Sequence, residues 1–340
     1  MHRRRLTAQL LAGAPARSPL AVTERLLAVQ AQDPRGARLA IRARSAGVDA
    51  ADIDAELTER RSLVITTLNR GTLHLVRAQD YPLLQSLTTP PLMTPNATRL
   101  AQTGVDPATA TRAIDLIDRS IGEEGPLTRA ALRERLERAG IPNLEHSMVH
   151  LIFGAAIRGR IVRGPMVGRQ HAFARVADWL PRQPPPPRHA ALAELARRYL
   201  AGHGPADDAD LARWAGLPLR DARAGLEAIA RELRRRPDGL VELARRPRAA
   251  RPPAPRLLGA FEPLLLGWRS RDDVLGEHAD KVVSGGVFRS FALVHGRAAA
   301  VWRIADGRVQ IEPFHELDGD VAAALERDGQ AVRRFLGLCG

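Results

Sequence analysis

Gln30 and Gln32 stand one residue apart in the run Leu26-Leu27-Ala28-Val29-Gln30-Ala31-Gln32-Asp33-Pro34-Arg35-Gly36-Ala37-Arg38, where apolar and amide side chains alternate beside a helix break. Such a pair can do a restricted kind of chemistry. Each amide carbonyl accepts a hydrogen bond from water and can direct its dipole at a developing positive charge, but an amide cannot take up a proton outright. Asp33 is the adjacent group able to act as a base. The plainer reading of all three is local: buried amides bond backbone groups freed at a helix break, and Asp-Pro at a helix start is what N-capping requires.

Pointing both amides into one pocket needs an extended joint, because residues two apart on a helix face different ways and on an extended chain share a side. Pro34 disfavours the α conformation at Asp33. The pattern therefore gives one apolar helix over Ala21 to Ala31 and a second from Pro34 to Ser45 with Asp33 as its cap. Strands at Leu63 to Leu68 and Thr72 to Val76 follow, around Asn69-Arg70-Gly71. A tidier copy of the same plan comes next, with helices over Ala113 to Ile121, Thr128 to Ala139 and Asn143 to Arg158. Ile161 to Arg163 and Gln170 to Phe173 then flank a glycine-rich turn. Helix-turn-helix followed by a hairpin is the winged-helix plan.

A third helical group covers Ala190 to Leu200, Asp208 to Trp214 and Leu219 to Leu233, with a short wing at Leu240 to Leu243. After Arg256 the pattern turns to β, and His295-Gly296-Arg297 joins Phe291 to Val294 with Ala298 to Arg303, followed by Arg308 to Ile311. Proline-rich stretches at Pro181 to Pro187 and Pro247 to Arg256 read as stiff linkers. The expected fold is α+β: three tandem winged helix-turn-helix units at 1–100, 101–183 and 188–246, then a C-terminal β-rich module at 256–340.

The 340 residues carry 51 Lys+Arg against 38 Asp+Glu, a formal net charge of +13, and the pI is near 11.3. A polyanion is the partner this implies. Coding bias is the competing explanation, because Lys281 is the only lysine and the basic residues are otherwise arginine. Arginine still matters physically, since its planar guanidinium binds phosphate bidentately and stacks on bases. The lone cysteine, Cys339, leaves no cysteine-held zinc, iron–sulfur cluster or internal disulfide, and no metal or cofactor is expected. The start Met1-His2-Arg3-Arg4-Arg5 has no signal-like apolar region, and the expectation is a soluble cytoplasmic protein, associated with the nucleoid.

Gln-x-Gln followed by Asp-Pro-Arg, then Arg70-Gly71-Thr72-Leu73-His74-Leu75-Val76, resembles the AlkZ/AlkX (YcaQ) family of winged-helix DNA glycosylases. The likeness continues in Leu257-Leu258-Gly259-Ala260-Phe261-Glu262-Pro263-Leu264-Leu265-Leu266-Gly267 and in Gly285-Gly286-Val287-Phe288-Arg289, so it spans most of the chain. Glu262 departs from the Asp expected there. The resemblance implies removal of N7-alkylated purines, with Gln30 and Gln32 as the catalytic signature of the AlkZ-like branch, since the AlkX branch carries Gln-x-Asp. It also makes crosslink unhooking and self-resistance to a DNA-alkylating metabolite family-level expectations.

An N7-alkylguanine already carries a positive ring charge, so its departure needs no protonation; the demand falls on the oxocarbenium-like sugar and on placing water. Two glutamines meet that demand. The residues expected to contact double-stranded DNA are Arg35, Arg70, His74, Arg158, Arg163, Arg169, Arg289 and Arg297, although the plainer reading of any single arginine is a solvated basic face. The plainer reading of His74 is a packed histidine, its site-lining role being what the family motif implies, and Phe173 and Met166 read as wing and core packing. A strand-cutting glycosylase needs an amine for a Schiff base, and with Lys281 as the sole lysine a monofunctional hydrolase is expected; a monomer is expected because tandem units already supply the contact surface that dimers otherwise assemble. The alternative class is a non-catalytic winged-helix transcriptional regulator, with the glutamines at a structural joint; a protein-binding scaffold is a third.

Overall fold

Helix α1 (His2–Ala8) is followed by α2 (Pro19–Leu26), whose start is set by the Ser18 side chain accepting from the Ala21 N–H at 3.1 Å and by Pro19, which lacks a donor where none is needed. The helix that the apolar pattern carries on to Ala31 stops at Leu26. Leu27 takes φ 63°, ψ −44°, and the Ala28 N–H donates to the Leu26 carbonyl at 2.8 Å, closing a positive-φ γ-turn that aims the chain out of the helix. An extended segment, β1 (Val29–Gln30), then leads into α3 (Pro34–Arg42) and α4 (Ala50–Thr58).

Strands β2 (Leu63–Thr67) and β3 (Leu73–Arg77) pair antiparallel from Leu63↔Arg77 to Thr67↔Leu73. Then come α5 (Tyr81–Thr88), α6 (Met93–Gln102), α7 (Pro107–Glu124), α8 (Arg129–Arg138), α9 (Leu144–Ile157), the hairpin β4 (Ile161–Val167) and β5 (Gln170–Arg175), and α10 (Val176–Trp179). Side chains supply the helix starts: Asp106 accepts from the Ala108 and Thr109 N–H groups, and Thr128 from Ala131 at 3.2 Å. Leu127 and Phe173 exchange backbone hydrogen bonds of 2.8 and 3.0 Å, which ties the α7–α8 turn to the hairpin. The core beneath gathers Leu100, Ile114, Leu136, Leu151 and Phe173. Ile65↔Arg163 joins β2 to β4, giving the strand order β3-β2-β4-β5.

The chain continues through α11 (Arg188–His203), α12 (Asp208–Ala215) and α13 (Leu219–Ala228) to β6 (Leu233–Arg235) and β7 (Val241–Leu243). The helix expected to reach Leu233 ends at Ala228, because Leu233 belongs to the hairpin, opposite Leu243. After β8 (Arg256–Leu258) come α14 (Pro263–Leu266), α15 (Asp272–Leu275) and α16 (Ala279–Val282), a small hairpin of β9 (Val283–Ser284) and β10 (Val287–Phe288), strands β11 (Phe291–Val294), β12 (Arg297–Ala305) and β13 (Arg308–Pro313), and α17 (Gly319–Phe335). One antiparallel sheet has the order β13-β12-β11-β8. The expected β-rich module is thus mixed: α17 buries Leu325, Gly329, Val332 and Phe335, one stripe of an amphipathic helix.

This computed structural model describes residues 2–168 and 170–338, with helices and strands both abundant. Its contacts divide into two units, 1–54 with 192–214 and 218–340, and 55–191 with 215–217. Arg169 and Cys339 lie outside the described residues. The second proline-rich stretch differs from a free linker: the Ala250 N–H donates to Thr7 Oγ1 at 3.0 Å, and Arg3 donates to the Ala250 carbonyl, so α1 holds it down.

Candidate active site

The segment carrying the glutamines is fixed at both ends. Upstream, Leu27 is fully buried and adopts a φ that a branched L-residue reaches only under strain. Gly202 of α11 presses on the same turn, and a β-carbon there would stand 2.3 Å from the Arg25 carbonyl oxygen. Downstream, the Asp33 carboxylate caps α3 by accepting from the Gly36 N–H. Between these anchors the chain is extended at Val29–Gln30. Gln30 is 7% exposed, whereas Gln32 faces solvent.

What braces α3 is the second glycine-bearing motif. A β-carbon on Gly36 would lie 2.3 Å from the Ala260 carbonyl oxygen, and one on Gly259 would lie 2.9 Å from the Gly36 α-carbon. At the far end of α3, Arg44 is wholly buried and pairs with the equally buried Glu262. Its other donors reach the Gln9 carbonyl at 2.8 Å, Gln9 Oε1 at 2.8 Å and the Ala40 carbonyl at 2.9 Å. Glu262 also caps α14 by accepting from the Leu264 N–H at 3.2 Å. The acidic residue of the motif therefore has a supporting role, and Glu in place of Asp retains it. Neither the Gly36–Gly259 contact nor the Arg44–Glu262 pair follows from sequence reading; the glycines inside both motifs were the only signal.

The remaining site residues fall in both units. Arg35, exposed in the first turn of α3, shares a unit with the glutamines, as do Arg289 and Arg297. Arg289 donates to the Lys281 carbonyl at 3.2 Å and lies 3.8 Å from Glu312, while Arg297 is exposed at the start of β12. Arg70, His74, Arg158 and Arg163 belong to the other unit. Arg70 takes φ 57° at the β2–β3 turn, and Gly216 packs on its backbone, where a β-carbon would be 2.9 Å from the Arg70 nitrogen.

His74 is 2% exposed, and its Nδ1 lies 3.0 Å from the Thr72 carbonyl, so Nδ1 carries the proton and donates. Burial, aided by the nearby Arg70 charge and opposed by the Thr72 bond, holds its pKa down to about 3. It is a neutral imidazole with Nε2 unprotonated. Arg158 is exposed at the end of α9. Arg163 is half-buried, with its guanidinium 4.5 Å from the Phe173 ring centre, and burial lowers its pKa. Phe173 is core, as expected; Met166 is 46% exposed and so is not packed there. Among the described residues Glu277, His278 and His315 could hold a metal ion, with ligand atoms within 4.8 Å of one another, on segments apart in sequence from the glutamines.

A profile described as DNA glycosylase AlkZ-like matches residues 23–335. The chain belongs to the AlkZ-like DNA glycosylase family. The solved structure of the Streptomyces sahachiroi DNA glycosylase AlkZ superposes with a TM-score of 0.81 at 25% identity, covering 99% of this chain and 95% of that one. No curated protein matches the sequence. An AlkZ-like glycosylase breaks the bond between base and deoxyribose, and its substrate is DNA; the charge excess of +13 suits that polyanion. Among the described residues no helix is long and apolar enough to cross a membrane.

Proposed function

We propose that this AlkZ-like protein is a monofunctional glycosylase that hydrolyses the N-glycosidic bond of N7-alkylated purines, bulky monoadducts and crosslinked bases included. The observation that carries the reading is the extended joint at Gln30, held between the Leu27 γ-turn and the Asp33 cap. Gln30, buried and fixed, directs its carbonyl dipole at the positive charge that grows on the sugar. Gln32, open to solvent, places the attacking water. Neither accepts the water's proton outright, which confines the enzyme to cationic lesions whose bases leave unaided. Asp33, adjacent in sequence, is the carboxylate proposed to receive that proton, although one of its oxygens already serves the helix cap.

The element orders α7-α8-α9-β4-β5 and α11-α12-α13-β6-β7 support reading 101–183 and 188–246 as winged-helix units, with a first unit in 1–100 and a terminal module in 256–340. Winged-helix units engage duplex DNA through open surfaces, without a closed pocket. That suits a lesion tied to the opposite strand, which cannot be flipped into a closed pocket. Arg35, Arg70, His74, Arg158, Arg163, Arg289 and Arg297 are the residues proposed to contact the DNA; Arg169, also expected to do so, lies outside the described residues. The protein acts as a monomer in the cytoplasm at the nucleoid, in DNA repair or in self-resistance to an alkylating metabolite.

The test is single-turnover incubation of the wild type and Gln30→Ala/Gln32→Ala with an N7-alkylguanine duplex, followed by alkali and a denaturing gel. Strand breaks that form only after alkali and only with the wild type are expected. Intact strands with both proteins, despite salt-sensitive binding, would overturn the reading.

A further inference from the structure

The side chain of Glu242, on β7, is completely buried under a crowd of guanidinium groups. Arg4 lies 2.9 Å away, Arg246 3.0 Å and Arg236 3.7 Å, and Arg234 bonds it as well. Asp238 takes Arg236 at 2.9 Å, so four guanidinium groups face two carboxylates and the cluster keeps a surplus of positive charge. A buried carboxylate ringed this way fixes arginines that would otherwise sample many rotamers. Two of them keep an open face, Arg4 at 33% and Arg234 at 55% side-chain exposure.

Beside the cluster lies a cavity of about 170 Å³, with Arg4, Arg25, Arg245 and Arg246 at its rim and Ala8 and Leu200 among its lining. We propose that this cavity is a phosphate site, which holds one backbone phosphodiester of the DNA with the deoxyribose carbons against the apolar floor. Guanidinium groups match phosphate oxygens in pairs, and the Glu242 hub orders two of the rim arginines before DNA arrives, which lowers the entropy lost on binding. Arg25 sits in the last turn of α2, directly before the Leu27 turn. Its α-carbon is at most about 18 Å from that of Gln30 by chain length alone. A phosphate gripped there sets the register of the strand for the glutamine segment.

The inference rests on the family's action on DNA and not on the lesion or the role of the glutamines, so its test uses an undamaged duplex. Arg25→Ala/Arg245→Ala removes two rim arginines that are not among those bonded to Glu242. Fluorescence anisotropy of a labelled duplex across a salt series should show about tenfold weaker binding, with the slope of log K against log salt flatter by about one, the signature of one lost phosphate contact. Glu242→Gln should weaken binding in the same sense. An unchanged slope in the double variant overturns the proposal. If inorganic phosphate then raises the wild-type melting temperature above a chloride control of equal ionic strength, and not that of the double variant, the cavity serves a free anion; if it raises neither, the arginines are structural.

Discussion

Gly36 and Gly259 meet backbone to backbone: a β-carbon on Gly259 would stand 2.9 Å from the Gly36 α-carbon and 3.0 Å from its carbonyl oxygen. One glycine opens α3 three residues after Asp33, and the other follows β8. Their contact makes the first turn of α3, the helix that follows the glutamine segment, dependent on a loop more than two hundred positions away in sequence.

Gly36→Ala should accordingly displace the turn that Asp33 caps, because the new methyl would lie 2.3 Å from the Ala260 carbonyl oxygen, a backbone atom that cannot swing aside. Overpacking of this kind costs about 1–3 kcal/mol. The expected result is a lower urea midpoint together with a loss of base excision larger than the loss of DNA binding. A variant with wild-type excision would show that α3 does not position the glutamines.

Much of this was legible in the sequence, and the reasons differ by residue. Asp33 as cap, Thr128 as cap and the His295-Gly296 hairpin were readable because local chemistry decides them. Helix ends were less so: Ala28 and Val29 suit a helix by hydrophobicity, and only the packing of Leu27, Leu26 and Gly202 shows that the chain turns before them. The Arg44–Glu262 pair could not be read at all, since it joins positions remote in sequence and either residue alone looks like surface. Missing α17 had another cause, an amphipathic stripe in a stretch already assigned to β.

Removing one partner of a buried ion pair strands the other. Glu262→Ala would leave the Arg44 guanidinium buried with backbone and amide oxygens only and would uncap α14, at a cost of about 3–5 kcal/mol. Glu262→Asp keeps a carboxylate that can still cap Leu264 and should lose much less. Chemical denaturation of the three proteins measures the difference; equal loss in Ala and Asp would mean that length, and not charge, is what Arg44 requires.

Acid should destabilise the protein through two histidines. Burial holds His74 and His203 at about 3, against 6.5 in the unfolded chain. Between those values the unfolded state binds protons that the folded state refuses, so stability falls as pH drops below about 6.5 and is fully present above it. At about 1.4 kcal/mol per unit for each group, lowering the pH from about 6.5 to about 4.5 costs roughly 5 kcal/mol through the pair. The ring of His203 stacks 4.9 Å from that of Tyr199, so His203→Phe can keep the stack and should remove about half of that pH dependence in urea titrations. An unchanged slope would mean that His203 is charged in the folded protein.

Strand cleavage by a glycosylase requires an amine that attacks C1′ and carries the sugar as an iminium ion, and among side chains only Lys281 could supply one. Its Nζ rests 5.0 Å from the centre of the Phe314 ring, a cation–π contact that holds it against the aromatic face, on a segment far in sequence from the glutamines. Lys281→Ala is therefore expected to release as many alkali-labile sites as the wild type. Neither protein should cut DNA before alkali, and borohydride should trap no covalent complex. A trapped adduct that disappears in Lys281→Ala would assign the lysine as nucleophile. One that persists in the variant would point to another amine, and in either case the monofunctional assignment would fall.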